Sequence, residues 1–225
     1  MAAPRSQISS VLIVCGLKRE AALAAGPGAI VAFGNGATLQ ARFAALADTP
    51  LRMVVSFGLC GGLDPSLRSG DVLLGSEVVA RSESVATDEA LTLALERRLA
   101  EAGVPATRGK FAAADAPVLT AGEKRALRET TGAAAVDMES LAAGRFARAR
   151  GAPFAILRAV SDPADRDLPP LVLAALDADG EVDVGAVVRG LARSPAALPG
   201  LIAAAFDSGA AFRMLRRCGR LAVGL

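Results

Sequence analysis

The chain has 225 residues, of which 52% are hydrophobic and 21% charged, with a formal net charge of +2. These values exclude a disordered chain and give no general nucleic-acid footprint. Histidine, tryptophan and tyrosine are absent, which removes Ser-His-Asp and Cys-His nucleophile systems and the commonest nitrogen ligand of zinc, and weakens any reading based on aromatic platforms for stacking bases.

Along the chain, short apolar runs alternate with helix-like segments. Residues 11–15 form a continuous apolar run suited to a strand buried on both faces. Residues 19–25 read as a short helix, 29–33 as a second strand, and 37–47 as a helix after the turn Gly34-Asn35-Gly36. Residues 52–57 predict a third strand that ends in a glycine-rich loop, Gly58-Leu59-Cys60-Gly61-Gly62. Residues 71–80 predict a strand, and 88–102 a helix with Asp88 at its N-cap and Gly103 as its stop. Strands over 107–113, 134–138 and 153–160 then alternate with helices over 121–129 and 139–150. Beyond them, residues 165–170 and 177–183 read as polar turns, and Pro195 and Pro199 interrupt the following stretch.

This alternation predicts an α/β fold with a mixed central sheet covered on both faces. The length suits a single domain over residues 1–225, with residues 195–225 as a helical, basic extension. Cys15, Cys60 and Cys218 are widely spaced and form no CxxC pair, which points to a reducing cytoplasm and to no metal. Two segments imitate membrane signals. Residues 11–17 run into Lys18, Arg19 and Glu20 without a cleavage site. Residues 21–41 are uncharged over 21 positions, but their Gly, Pro and Asn residues punctuate the run as turns do. Neither is read as a span.

Ligands in such sheets bind where strands end, and four clusters stand there. Gly16-Leu17-Lys18-Arg19-Glu20 places a carboxylate one helical turn beyond a buried strand. The Gly58–Gly62 loop lets backbone N–H groups approach an anion or a hydroxyl. Asp137-Met138-Glu139 sets two carboxylates around an apolar side chain. Arg158-Ala159-Val160-Ser161-Asp162 closes a strand with a hydroxyl beside a carboxylate. Singly, each also reads as a tight turn, a helix-start charge or a cap.

Together and in this order, with Ser69-Gly70-Asp71-Val72 between them, the clusters resemble the purine nucleoside phosphorylase and methylthioadenosine/adenosylhomocysteine nucleosidase family over roughly residues 11–165. The resemblance implies a three-layer α/β/α sandwich and cleavage of a purine nucleoside's N-glycosidic bond without an organic cofactor. It implies that Asp162 protonates adenine N7, positioned by Ser161, which requires burial to raise its pKa. Glu139 would hold the ribose hydroxyls with Met138 against the sugar, and Glu20 would polarise the attacking water. Adenine is expected near Pro117 and Val118, where relatives often carry an aromatic residue. Gly58 and Ser56 are expected to contact substrate.

Phosphate-using relatives often have an arginine at the position of Ser56 and a serine at that of Leu59, so water is the expected nucleophile and inorganic phosphate the alternative co-substrate. Lys18 and Arg19 could hold phosphate or be solvated helix charges. From residue 201 onward Asp207 is the only acid against Arg213, Arg216, Arg217 and Arg220. These arginines share one helix face, opposite Ala211, Met214, Leu215, Cys218 and Ala222, so residues 208–225 read either as a peripheral membrane contact or as a helix packed on its own domain or a partner's. The short chain between Val79 and Asp88 and the 165–170 segment resemble hopanoid-associated phosphorylases, which implies a lipid-linked adenine nucleoside, adenosylhopane, cleaved by a cytoplasmic homodimer. A soluble methylthioadenosine/adenosylhomocysteine nucleosidase and an inactive nucleoside-binding protein are the alternatives.

Overall fold

The computed structural model describes residues 10–169 and 198–224, together with residues 171, 185, 189, 192 and 193. The turn expected over 177–183 and the break at Pro195 lie outside the described residues. Eight strands form one mixed sheet: β1 (Ser10–Cys15), β2 (Ala29–Phe33), β3 (Leu51–Gly62), β4 (Val72–Ala80), β5 (Glu83–Ala86), β6 (Ala106–Ala113), β7 (Ala135–Asp137) and β8 (Phe154–Asp162). Parallel pairing joins β2 to β1, β1 to β3, β3 to β8, β4 to β6 and β6 to β7. Antiparallel pairing joins β8 to β4 and β7 to β3, so β3, β8, β4, β6 and β7 close into a ring.

The helices are α1 (Lys18–Ala24), α2 (Gly36–Ala45), α3 (Glu89–Glu101), α4 (Ala121–Thr131), α5 (Ser140–Ala149) and α6 (Leu198–Val223). Alternation along the strands divides the core into two layers. Val11, Ile13, Cys15, Val55 and Phe57 pack with residues of α1, α3 and α6. Leu12, Val14 and Val54 turn the other way, onto α2 and α5. The three-layer arrangement follows from strands that are apolar on both faces.

Three local expectations change. The glycine-rich segment Gly58–Gly62 is not a loop but the end of β3, paired with β8 from Gly58 opposite Arg158 to Cys60 opposite Val160, after which the register shifts and Gly61 and Gly62 also pair with β7. Strand β5 forms a short hairpin with β4 that alternation alone did not reveal. Pro199 does not interrupt a helix; it lies in the first turn of α6, where a missing N–H costs no intrahelical bond. Asp88 does cap α3, accepting from the Leu91 N–H at 2.8 Å.

The uncharged run 21–41 is divided among α1, β2 and α2, and among the described residues no helix is long and apolar enough to cross a membrane. The apolar face expected for the C-terminal segment lies in the core: Ala211, Leu215, Cys218 and Ala222 are all 0% exposed. Of the two readings of that segment, packing on its own domain is the one this face takes. The four arginines point outward. Close approach of α6 to α1 depends on Gly219, where a Cβ would stand 2.1 Å from the Leu23 carbonyl oxygen. Gly219→Ala is therefore expected to destabilise the protein by about 1–3 kcal/mol, measurable as a lowered Tm, because the overpacked helix must shift.

Candidate active site

The ends of β1, β3, β6, β7 and β8 surround a cavity of about 470 Å³, and the four clusters meet there. Asp137 lines it, 6% exposed, and so do three further buried carboxyl groups: Glu20, Glu139 and Asp162 are 1%, 7% and 6% exposed. Each of these three is backed by a glycine. A Cβ at Gly58 would lie 2.7 Å from the Glu20 carboxylate, one at Gly16 2.7 Å from Glu139 Oε1, and one at Gly61 3.2 Å from Asp162 Oδ2. The glycines of the motifs thus make room for the acids at strand ends where backbone and carboxyl nearly touch.

Glu20 is the third residue of α1 and turns back over the helix start. Its Oε2 accepts from the N–H groups of Gly16 and Leu17, each at 2.9 Å, and its Oε1 from that of Leu59 at 2.7 Å. Burial raises its pKa, while Arg158 and these three N–H groups oppose the rise. A poorly solvated carboxylate fixed by three N–H donors is suited to taking a proton from water.

Glu139 is the N-cap of α5. Asp137, just before it, accepts from the N–H groups of Glu139 and Ser140 at 3.1 and 2.9 Å and also from the Ser140 hydroxyl, which fixes the turn out of β7. Arg158, 1% exposed, crosses beneath the site. Its Nη1 donates to Glu139 Oε2 and to the Leu59 carbonyl, both at 3.0 Å, and its Nη2 donates to Ser56 Oγ at 2.7 Å. Nε pairs with Asp137 Oδ2 at 3.2 Å as a charge contact, without the alignment of a hydrogen bond. Burial pushes Glu139 up to about 7, against the pull of Arg158. With two carboxylates on one guanidinium, Arg158 stays charged.

Asp162 ends β8. Its Oδ1 accepts from the Ser161 hydroxyl at 2.5 Å, and its Oδ2 meets Lys124 Nζ at 2.6 Å. Burial raises its pKa, opposed by Lys124 and by the Ser161 hydroxyl. Pro117, Val118 and Leu168 add apolar surface to the same cavity. Beyond Glu139 a second cavity of about 400 Å³ continues from the first, sharing Asn35, Ala114 and Met138 with it and adding Leu39, Gln40, Asp115 and Arg145.

Seven of the nine residues expected at the site line the cavity: Glu20, Glu139, Asp162, Met138, Ser161, Pro117 and Val118. Ser56 and Gly58 do not. Ser56 is fully buried below Arg158, where its hydroxyl is also 2.9 Å from Ser140 Oγ, and Gly58 stands behind Glu20. In this structure Ser56 supports Arg158 and Gly58 makes room for Glu20. Sequence reading missed two cations. Arg158 had a signal, a lone charge inside the apolar run Phe154–Val160, which burial forces to find partners. Lys124 had only a faint one, its place three residues before Leu127 on the face of α4 that packs inward.

Residues 10–205 match the family profile described as the phosphorylase superfamily. Among solved structures, futalosine hydrolase of Helicobacter pylori is similar with a TM-score of 0.67 and 15% identity, covering 95% of this chain and 98% of that one. The H. pylori 5′-methylthioadenosine/S-adenosylhomocysteine nucleosidase, solved with a pyrrolidine-based ligand, gives the same TM-score, identity and coverage. The Campylobacter jejuni nucleosidase of that name has a TM-score of 0.62 and 15% identity, covering 92% of this chain and 98% of that one. At these identities the likeness is one of fold.

Proposed function

The chain belongs to the phosphorylase superfamily, and from that membership we propose that it hydrolyses the N-glycosidic bond of an adenine nucleoside. The observation that carries this reading is the convergence of Glu20, Glu139 and Asp162 on one cavity, with apolar surface in the same cavity and a guanidinium behind Glu139. Cleavage of C1′–N9 leaves positive charge on the sugar and negative charge on the base. Asp162 gives its proton to N7 as the bond electrons move into the base, which lies against Pro117 and Val118. Glu139 accepts hydrogen bonds from the ribose hydroxyls and stabilises the cationic sugar, with Met138 on its face. Water attacks C1′ and its proton passes to Glu20. General acid and base help of this kind contributes about 10²–10⁴-fold each.

Three features support water over phosphate. The backbone N–H groups of Gly16, Leu17 and Leu59 already donate to Glu20, so a phosphate there would meet a carboxylate. Arg158 is engaged by Asp137 and Glu139. Lys18 and Arg19 are exposed, and the Arg19 guanidinium lies 4.4 Å from the ring centroid of Phe212, among α6 side chains.

The second cavity shares Met138 with the first, and with Met138 against the sugar it would receive a 5′ substituent. We assign that substituent as bulky, with adenosylhopane as the substrate that the sequence resemblance indicates and a ribosyl-lipid of hopanoid biosynthesis as the product. The solvent face of α6 suits such a substrate. Leu198, Ile202 and Phe206 are 47%, 48% and 75% exposed and share that face with Arg213, Arg216, Arg217 and Arg220, a combination that favours an anionic lipid surface. The proposed enzyme is a cytoplasmic homodimer. A second reading, cleavage of a soluble adenosylhomocysteine-type nucleoside, is favoured by Asp115 in the second cavity, which could pair with the ammonium of an amino-acid group, and by Arg145 beside it, which also pairs with Glu83 at 2.6 Å. Adenine release from adenosylhopane, methylthioadenosine and adenosylhomocysteine decides between them. Turnover confined to the lipid nucleoside supports the first reading, turnover confined to the soluble pair supports the second, and no turnover of any overturns both.

A further inference from the structure

Lys124 is the only buried residue of α4, and it is 0% exposed. Its ammonium group reaches Asp162 Oδ2 at 2.6 Å, the Pro163 carbonyl at 2.8 Å and the Arg166 carbonyl at 3.0 Å. Those three acceptors use all three of its N–H donors, so the group is fixed in direction as well as position. A helix whose remaining surface is polar or half-buried thus sends one side chain inward, and that side chain ends on the proposed acid. An apolar residue would fill the same space without the cost of burying a charge, so packing alone does not account for a lysine.

We propose that Lys124 is a positioning residue that orients the Asp162 carboxyl and stabilises the carboxylate left when its proton passes to the departing base. This rests on the assignment of Asp162 as the acid. In the resting site one oxygen of Asp162 faces Lys124 and the other faces the Ser161 hydroxyl. As the C1′–N9 electron pair moves into the base and the Asp162 proton moves to N7, negative charge grows on a carboxyl already 2.6 Å from a cation. The ammonium group gains interaction energy as that charge develops, which lowers the barrier rather than merely tightening binding. The other groups acting on Asp162 are few. Asp207 of α6 raises its pKa, itself paired with Arg166 at 3.0 Å, and the thiol of the buried Cys60 on β3 lies close enough to respond to the Asp162 charge.

The test is Lys124→Met, with Lys124→Gln as a second neutral variant that keeps a donor. On an adenine nucleoside, kcat is expected to fall about 10–100-fold, within the range of general-acid help, with KM changed less than about threefold. Loss of the cation makes the carboxyl a weaker acid, so the basic limb of the kcat/KM profile moves to higher pH. Carbon-13 titration of the Asp162 carboxyl, assigned with Asp162→Asn, should move the same way without substrate. An unmoved limb and titration in the folded variants, an unchanged kcat, or failure of both variants to fold overturns the proposal and leaves Lys124 a structural strut. A wild-type protein that cleaves no adenine nucleoside overturns the functional reading instead, and the titration still decides whether Lys124 governs Asp162.

Discussion

Replacing Asp162 with Asn is expected to lower kcat for adenine release by about 10²–10⁴-fold, the contribution of a positioned general acid, while nucleoside binding stays within a few-fold. Asn has the same shape but no proton to give to N7. The variant also sets a neutral amide, in place of the carboxyl, beside the buried Lys124, so the Tm is followed together with the rate. Steady-state kinetics beside equilibrium dialysis separates the two effects. A protein that only binds nucleosides would show no wild-type turnover for the substitution to remove.

Glu20→Ala has a second large effect and a more diagnostic signature. Removing the carboxylate takes away the group proposed to accept the proton of water, for an expected loss of about 10²–10⁴-fold. It also exposes the N–H groups of Gly16, Leu17 and Leu59 that the carboxylate now occupies. Backbone donors converging on an empty space bind small anions. Added formate should therefore restore part of the lost rate by supplying a carboxylate to the same donors. Formate that fails to stimulate the folded variant would show that Glu20 does not act through this position.

Much of this site was legible in the residue order. Continuous apolar runs such as Val11–Cys15 encode strands buried on both faces, and the carboxylates at their ends could be placed because strand ends and ligand sites coincide in open α/β sheets. What escaped depends on the third dimension. Gly58–Gly62 looks like a loop by composition, yet pairing with β8 keeps it extended, and its glycines answer to the carboxyl groups packed against them. Ser56 aligned with a substrate-contacting position, but Arg158 reaches across from β8 to claim its hydroxyl. The C-terminal arginines were placed on the correct helix face, while the apolar face opposite them, open to a lipid or to the protein itself on sequence grounds, is spent on the core. Lys124 was missed because a lysine in a mostly polar helix reads as solvated, although it shares the inward face with Leu127.

The most direct test of the central claim is adenine release in phosphate-free buffer made with oxygen-18 water, using whichever adenine nucleoside the protein turns over. The account predicts full activity without phosphate and one oxygen-18 atom on C1′ of the released sugar. Release that requires phosphate and yields a sugar 1-phosphate would contradict it, and would mean that phosphate displaces the Glu20 carboxylate from the donors of Gly16, Leu17 and Leu59.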